Sequence, residues 1–455
     1  MLLNLLFGLC GNRYIAGPGA RCRGVGAPGS SGCPQTDSGA RFCRISRFRT
    51  IHRINFSYTH FSSKFANSNR MNSIMKKISL LLLLAISVKS MAQDGERVIT
   101  TAVPFLTIAS DARASGMGDV GVATSTDAFS QQWNPAKFAF AERKMGVGIS
   151  YTPYLESIIT DIALLNGSFY NKINDRSAFA VSIRYFTLGE IELRNTFQEN
   201  GTTVKPNELA IDGSYSLKLS ETFAMAVGGR FINSNLEIPQ LDNAVQAGST
   251  FAVDVAGYYR GPEKAYDSFD GRWRAGFNIS NLGGKIKYDD GGQENFLPTN
   301  LGLGGGFDFI FDFDNELSLT AEINKLLVPT PQDFDGDGDL DADDNQEYQS
   351  IGFFEGVFTS LGDAPDGFGE ELKEMTWALG AEYKYRDQFM LRGGYFNESE
   401  EKGFRKFFSL GAGFRYNNVQ IDLSYLFSTA QVRNPLENTL RFSLSFALGE
   451  EFYND

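Results

Sequence analysis

From Met145 onward, the chain repeats segments of about ten residues in which apolar and polar side chains alternate. In segment 439–447, every second residue is leucine or phenylalanine, and the residues between them are serine or arginine. Segments 250–260 and 419–427 follow the same rule. Because successive side chains of a β-strand point to opposite faces, each segment predicts a strand with one apolar face and one polar or small face.

Fourteen such strands are predicted, and a tilted strand of about 9–11 residues is long enough to cross a bilayer. Their expected bounds are Met145–Tyr151, Ile158–Tyr170, Ser177–Phe186, Asn207–Leu219, Phe223–Asn233, Thr250–Arg260, Arg272–Ser280, Asn300–Phe311, Leu317–Leu326, Thr376–Tyr385, Gln388–Phe396, Arg405–Tyr416, Val419–Phe427 and Thr439–Ala447.

The connections between these strands alternate in length. Five connections on one side are tight: 171–176, 220–221, 313–315, 386–387 and 417–418. Those on the other side are mostly long, and the longest is 327–375; connection 261–271 breaks the rule. This asymmetry predicts an all-β fold, a transmembrane antiparallel β-barrel of about 14 strands over residues 144–449, followed by a tail, 450–455. A soluble secreted β-sandwich is the alternative, but it rarely shows such asymmetry. The even strand count predicts that both termini lie on the short-turn, periplasmic side.

Composition agrees with a barrel. The 455 residues include 48 Gly, 14 Pro and 13 % aromatic side chains, a mixture that suits many strands joined by turns. Mean hydropathy is -0.21, and after residue 92 no apolar run approaches the ~20 residues of a membrane-spanning helix. A membrane crossing by this chain therefore requires strands, and a closed barrel satisfies their backbone groups in lipid.

The first 92 residues differ from the rest. Residues 1–70 contain ten Lys or Arg, one acid, all four cysteines and both histidines, with no periodic pattern. Residues 71–92 combine a basic start, an apolar run and Ser90-Met91-Ala92, the features of a cleavable signal peptide that leaves Gln93 as the first mature residue. Because such a signal begins a precursor, we interpret residues 1–70 as a disordered upstream extension from a mis-assigned start. A genuine basic extension is the alternative.

Removal of residues 1–92 leaves 29 basic and 53 acidic residues, a net charge of -24. This charge argues against nucleic-acid binding, which needs a basic surface. The mature chain also has no Cys and no His, which removes disulfides, thiol nucleophiles, Ser-His-Asp triads and His-ligated zinc. We therefore expect a binding or transport protein without catalytic residues, not an enzyme.

The segment 93–143, before the first strand, carries the most informative motifs. A small and Gly-rich run, Ala114–Gly121, is followed by Trp133-Asn134-Pro135-Ala136. This arrangement resembles the N-terminal region of the FadL-like outer-membrane family, whose members are 14-stranded barrels that pass hydrophobic compounds. The resemblance implies a FadL-like barrel with a short N-terminal periplasmic or plug segment. The Gly-rich run itself predicts either close packing against the barrel wall or direct contact with a bound partner.

Within that family the chain is most similar to the PorV branch, the outer-membrane component of the type IX secretion system. The similarity rests on Val103–Ile108, Asp111–Gly118 and Gln131–Ala136. It implies an integral outer-membrane protein that binds the C-terminal signal domain of secreted cargo proteins. Such a protein receives cargo from the large translocon barrel and delivers it to a surface peptidase and attachment complex, which joins it to lipopolysaccharide. Outer-membrane lipid is a further expected contact.

Two other functions stay open at this point. A FadL-like transporter of hydrophobic small molecules would need an apolar lumen pocket and a lateral opening through a kinked strand, whereas a secretion component would have no continuous ligand tunnel. A membrane-embedded lipopolysaccharide-modifying enzyme would need a clustered Ser/Asp site or a pair of acids, and the missing His makes it the weakest of the three.

The longest loop holds the sharpest local motif, residues 333–344. Acids stand at its first, third and fifth positions, Gly at the sixth, an apolar residue at the eighth and Asp at the twelfth, which is the spacing of a calcium loop. The expected ligands are Asp333, Asp335, Asp337, Asp339 and Asp344. Asp344 replaces the Glu of an EF-hand, as in dockerin-like loops, and no clear helix is expected beside the motif. We expect a structural calcium ion; a solvated acidic loop is the alternative.

Four apolar residues of the same loop are expected to bind a partner: Phe353, Phe354, Val357 and Phe358. Apolar side chains in an otherwise polar surface loop are typical of a docking site. Packing onto the rim of the barrel is an equal alternative.

Overall fold

The computed structural model describes residues 97–156, 159, 161–194, 201–236, 246–288, 294–338, 340–429 and 435–451. All of them belong to one unit, Ala92–Asp455. The predicted upstream extension, the signal peptide and Gln93 lie outside the described residues, as does most of the predicted tail.

The alternating segments form β-strands. These are β1 (Arg143–Pro153), β2 (Ile162–Asn174), β3 (Ser177–Leu188), β4 (Ile191–Leu193), β5 (Thr202–Val204), β6 (Asn207–Lys218), β7 (Phe223–Asn235), β8 (Gly248–Arg260), β9 (Lys264–Ala265), β10 (Asp270–Gly283), β11 (Asn300–Ile310), β12 (Asn315–Leu326), β13 (Met375–Tyr385), β14 (Phe389–Asn397), β15 (Lys406–Tyr416), β16 (Val419–Ser428) and β17 (Leu440–Glu451). Fourteen of them make the wall; β4 and β5 pair with each other, and β9 extends beside β10.

The wall is a closed antiparallel barrel, because β1 pairs with β2 on one side and with the last strand, β17, on the other. Every predicted strand is present, so the predicted barrel of 14 strands is confirmed. The largest shifts are at both ends of β2 and at the end of β17, which reaches Glu451 rather than Ala447. Strand β2 begins at Ile162 rather than Ile158, a residue outside the described ones, and ends at Asn174 rather than Tyr170. Leu155 has a positive φ of 55° and donates its N–H to the carbonyl of Pro435, which bends the chain away before β2 begins.

The two faces of each strand follow the alternation of the sequence. Leu391 and Leu410 point outward and are 64 % and 57 % exposed, whereas Ser409, Asp422 and Arg441 point inward and are buried. An outward apolar band of this kind is what lipid would cover.

The barrel has a short-turn end and a long-loop end. Turns such as Asn417-Asn418 and 386–388 join strands at the short-turn end, where Asn417, Arg386 and Asp387 have positive φ angles. Such left-handed residues match the twist of a tight hairpin. The longest connection, residues 327–374, lies at the opposite end and is called the cap below.

Short helices occur only outside the wall among the described residues. They are α1 (Ala112–Ser115), α2 (Ser130–Trp133), α3 (Ala342–Ser350), α4 (Phe353–Thr359) and α5 (Phe368–Glu374), with 3-10 turns at Pro104–Thr107 and Pro135–Phe140. Helices α3 to α5 belong to the cap. Within the described part of the chain, no helix has both the length and the apolar character needed to cross a membrane.

Residues 97–142, called the plug below, run through the barrel lumen. Near its start, Ala102 donates its N–H to the carbonyl of Phe296 in a long loop, and Arg97 contacts the cap. Near its end, Phe138 and Phe140 pack on Tyr170 and Tyr258, close to the short turns. The prediction that both termini lie at the short-turn end is therefore wrong for the first described residues, because the plug crosses the lumen before β1 begins.

Candidate functional site

Glycines bring the plug backbone directly onto the inner wall. Gly118 has a φ of 77°, and its N–H donates to Ser409 Oγ at 2.8 Å. On the wall side, a Cβ at Gly394 would overlap the backbone of Met117, and one at Gly380 would lie 2.7 Å from the Met117 carbonyl oxygen. Residues 111–118 are all buried. The structure thus places the Gly-rich run in the packing role, one of its two predicted roles.

Asp111 joins the two halves of the plug. Its Oδ1 accepts the N–H of Ala114 at 2.8 Å and so caps α1, while its Oδ2 accepts Trp133 Nε1–H at 2.7 Å. The Gly-rich run and the Trp133-Asn134-Pro135-Ala136 motif therefore meet at the buried carboxylate of Asp111.

Asn134 fixes the turn that leads the plug toward β1. Its Nδ2 donates to the carbonyls of Val122 and Gly257 at 2.9 and 3.0 Å, and its Oδ1 accepts the N–H of Ala136 at 3.1 Å. Pro135 then starts a 3-10 turn, for which its fixed φ is suited. The Asn-Pro-Ala motif is therefore a structural turn bonded to the wall.

A buried ionic chain ties the plug to three wall strands. Arg113 donates to both oxygens of Glu382 at 2.8 and 3.1 Å, and to Asp127 at 2.7 Å. Glu382 also accepts Arg392 Nε–H at 2.6 Å, and Arg392 pairs with Asp422 at 2.7 Å. Charges buried in this way are stable only while each has its partner.

Similar ion pairs line the rest of the inner wall. Arg230 bridges Asp212 and Asp254, and Arg274 pairs with Asp308 at 2.7 Å. Glu322 accepts the N–H groups of Gly121 and Val122 at 2.8 Å each. The inner wall beside Arg113 and Gly121 is thus polar and charged, which does not suit a passage for hydrophobic molecules. Nearer the long-loop end, Phe105 and Leu106 of the plug fill the lumen by packing against apolar wall residues such as Leu164.

Two grooves in the described residues both lie on the outside of the wall. One, of about 260 Å³, is lined by apolar residues of β14 to β16, including Phe389, Leu391 and Phe414. The other, of about 360 Å³, lies at the short-turn end between Phe269 and Phe313. Neither groove enters the lumen beside the plug.

The cap is fastened to the barrel by buried ion pairs. Lys325 of β12 lies 2.8 Å from carboxylate oxygens of both Glu371 and Glu374. Tyr348 stacks edge-on against Phe296 of the neighbouring loop, and Lys285 donates to the carbonyl of Gln349 at 2.7 Å. These contacts hold α3 and α5 in place over the long-loop end.

The same cap holds the start of the plug. Arg97 pairs with Asp366 at 2.7 Å and with Glu370 at 3.3 Å, and Lys402 donates to Glu370, Glu374 and the Arg97 carbonyl at 2.6 to 3.0 Å. Burial alone would raise the pKa values of Glu370 and Glu374, but these hydrogen bonds and charges bring both below their ordinary value. Arg97, Glu370, Glu374 and Lys402 are called the latch below.

The four predicted partner-binding residues lie on α4 and divide into two sets. Phe354 and Phe358 are 69 % and 72 % exposed, whereas Val357 is buried and Phe353 is half-buried. Beneath the helix, Gly356 packs against Phe296 and Pro329. One side of α4 therefore rests on the rim, and the other side faces outward; partner binding by these residues stays a prediction.

Three of the five predicted calcium ligands lie together. Carboxylate oxygens of Asp333, Asp335 and Asp337 are within 4.8 Å of one another. The N–H of Asp337 lowers the pKa of Asp335, but the neighbouring acids outweigh it and raise that pKa, a repulsion that a cation would relieve. Asp339 lies outside the described residues.

Asp344 already has another role. Its oxygens accept the N–H groups of Phe334 and Asp341 at 2.6 and 3.2 Å, and with Asp341 it forms the capping box of α3. The expectation that no helix flanks the motif is wrong, because α3 begins at Ala342. The acid pair three residues apart, Asp341 and Asp344, is the sequence signal that identifies this helix start. The donor set otherwise fits calcium, which takes oxygen ligands.

Sequence reasoning missed the ionic network of the lumen. The sequence does contain a signal for it, because charged residues occur at inward-facing positions of the alternating strands. They are Asp212, Asp254, Glu382, Arg392 and Asp422. Which acid meets which base depends on strand order and on the path of the plug, neither of which the alternation contains.

Comparison with known proteins supports a family assignment. The family model of type IX secretion system protein PorV matches residues 91–333. No curated protein sequence matches the chain.

Solved structures with a similar course of the chain include hydrocarbon channels. The CymD monoaromatic hydrocarbon channel is 14 % identical, with 77 % of this chain and 100 % of that chain covered and a TM-score of 0.45. A Pseudomonas aeruginosa FadL homologue is 14 % identical, with 78 % and 100 % covered and a TM-score of 0.36. The Pseudomonas putida toluene transporter TodX is 11 % identical, with 77 % and 98 % covered and a TM-score of 0.42. Scores this low carry no argument about what the present chain binds.

The PorV match is of a different kind, since it spans more than half of the 455 residues and includes the plug and the first nine wall strands. The chain is therefore a member of the PorV family of type IX secretion system outer-membrane proteins.

Proposed function

We propose that this protein binds the C-terminal signal domain of secreted cargo and shuttles it from the translocon barrel to the surface attachment complex. Membership of the PorV family supports a secretion role. The outward apolar band of the wall supports a position within the outer membrane. The protein acts by binding and carries out no chemical step itself.

The observation that carries the proposal is the filled lumen. The plug lies backbone-to-backbone on the wall near Gly394, and Arg113 is fixed by Glu382 and Asp127. A transporter of hydrophobic compounds needs an apolar pocket along its path. A lumen filled by the plug, through buried ion pairs at Arg113 and close apolar packing of Phe105 and Leu106, instead favours function at the outer surface, where the cap offers exposed side chains.

The cap gives the protein a firm surface for such binding. Its three helices are tied to β12, to the neighbouring loop and to the plug. A surface held in one conformation loses little conformational entropy when a partner docks. We infer that cargo contacts the long-loop end, together with the translocon and the surface peptidase.

An affinity pull-down tests the proposal. The full chain, tagged at its C-terminal end, is purified from detergent-solubilised outer membrane, and mass spectrometry identifies both the co-purifying proteins and the lipids. Secreted proteins that share a C-terminal β-domain, together with a very large barrel protein, are the expected result.

A different result would assign a different function. A clean monomer that carries a fatty acid or another hydrophobic compound, with no protein partner, would contradict the shuttle and make the protein a small-molecule transporter. Co-purification of lipid alone, in the amount that forms a shell around the barrel, would also contradict the shuttle, since cargo binding predicts a protein partner.

A further inference from the structure

The cap leaves large apolar side chains uncovered on two helices. On α4, Phe354 and Phe358 stand four residues apart and are 69 % and 72 % exposed; on α5, Phe368 and Leu372 have the same spacing and are 77 % and 51 % exposed. Residues four apart share one face of a helix. Each helix therefore presents an apolar pair to the outside, and large apolar side chains left exposed together in this way often mark an interaction site.

This exposure is not the result of a loosely placed segment. The inner side of α4 is covered, since Val357 is buried and Gly356 packs on Phe296 and Pro329. On α5, Glu371 and Glu374 are buried against Lys325. The exposed pairs thus lie opposite the sides that the barrel already covers.

The charge around these pairs indicates which surface covers them. Residues 327–374 contain fourteen acids and one lysine. The buried acids meet cations of the barrel and plug, but several others are exposed around the helices: Asp335, Asp341, Asp343, Glu347 and Glu355. An anionic lipid headgroup would be repelled by such a rim, whereas lysine and arginine would be attracted to it.

We propose that α4 and α5 form a docking face for a protein whose own apolar patch is rimmed by lysine and arginine. The apolar patch of the partner covers Phe354, Phe358 and Phe368, and its basic rim meets the acids of the cap. This inference rests on the proposed function, in which the partner is the cargo signal domain.

The first test measures binding of a purified C-terminal signal domain, taken from a cargo protein found in the pull-down, to the full chain in nanodiscs. Replacing both phenylalanines of α4 (Phe354→Ser with Phe358→Ser) is expected to weaken binding at least about tenfold, because hot spots of an interface are exposed aromatic anchors. The matched control replaces Phe311 and Phe313, which are exposed at the short-turn end, with serine and should bind like the unmodified chain.

The second test concerns charge. The variant Asp343→Asn, Glu347→Gln, Glu355→Gln is expected to slow association several-fold and to flatten its dependence on salt, because rim charges act mainly on the association rate. Its control neutralises three exposed acids of the short-turn end, Asp175→Asn, Glu221→Gln and Asp267→Asn, and should leave the association rate unchanged.

The outcomes separate the two proposals. If the unmodified chain does not bind the signal domain, both the proposed function and the docking face are wrong. If the chain binds but the α4 and charge variants bind equally well, only the docking face is wrong. A dye on Phe358→Cys that brominated lipid quenches in nanodiscs would show that the membrane covers this face, and would also overturn the inference.

Discussion

The plug and the cap are the two segments that leave the barrel wall, and they treat their polar groups in opposite ways. In the plug, Arg113 and Asp111 are buried, and their charged groups are hydrogen-bonded to other residues of the protein. In the cap, acids such as Asp343 and Glu347 are exposed, and so is the aromatic ring of Phe358. Both segments consist of short helices and irregular chain, yet one is an interior and the other a surface.

This difference separates stability from recognition. A buried network is rigid because each missing partner leaves an uncompensated charge. An exposed pair of apolar side chains adds no stability to the isolated chain. We therefore expect it to contribute to the binding of a partner. Substitutions in the plug and its wall should therefore unfold the protein, whereas substitutions on the outer side of the cap should leave stability intact and change binding.

The largest effect is expected from Glu382→Gln. Glu382 pairs with both Arg113 and Arg392, and neutralising it leaves these two buried arginines with no carboxylate between them. We expect the free energy of unfolding to fall by about 3–5 kcal/mol. Urea titration in detergent, followed by tryptophan fluorescence, measures this change, since Trp133 lies in the plug.

Glu316→Gln is the control for that prediction. Glu316 of β12 pairs with Lys384 of β13 at 2.8 Å but is partly exposed, so its removal should cost at most about 1 kcal/mol. Equal destabilisation by the two substitutions would mean that the lumen network is solvated like a surface, and the contrast between plug and cap would be lost.

A smaller loss of stability is expected from Gly394→Ala. The new Cβ would overlap the backbone of Met117 and push the plug from the wall, a kind of overpacking that costs about 1–3 kcal/mol. Gly393→Ala is a close control, because Gly393 points outward and its Cβ would meet only Leu410 Cδ2, at 3.9 Å. The temperature at which the barrel loses its compact migration on gels compares the two; an unchanged value for Gly394→Ala would show that the plug is not seated there.

The wall could be predicted from the sequence because a period of two requires only local information. Every strand from Arg143–Pro153 to Leu440–Glu451 is present with bounds near the predicted ones. The plug could not be traced in this way, since its contacts with Gly394 and Glu382 join residues hundreds of positions apart. The cap helices were missed because they are short, and α4 and α5 begin at Gly352 and Gly367 without a side-chain cap. Only α3 carries a capping signal, at Asp341.

The latch connects the two segments, and its strength should depend on pH. The pKa values of Glu370 and Glu374 are lowered in the folded protein, so their stabilising contribution is present above the ordinary pKa of a glutamate and is lost as pH falls through the lowered values. We expect residues 98–106 to exchange amide hydrogen faster under acid than at neutral pH, after correction for intrinsic rates.

Lys402→Met tests the cause of this effect. Lys402 donates to both glutamates and to the Arg97 carbonyl, so its loss should speed exchange at neutral pH and weaken the dependence on pH. Equal protection of residues 98–106 in the unmodified chain at neutral pH and in acid well below the ordinary pKa of a glutamate would show that the latch does not hold the plug.

The smallest effect concerns the acidic loop, for which we propose a structural calcium ion held by Asp333, Asp335 and Asp337. Extracellular calcium modules bind with dissociation constants of about 10⁻⁴–10⁻³ M, and calorimetry on the EDTA-treated full chain should give a value in this range. Asp337→Asn should weaken binding, whereas Asp343→Asn, outside the predicted ligands, should not. Heat of binding that is absent or equal in both variants would leave the loop as solvated acids. In that case the acids of the cap would all stay charged and available to a basic partner. A bound calcium ion would instead neutralise part of this charge, just as arginines neutralise the buried acids beside the plug.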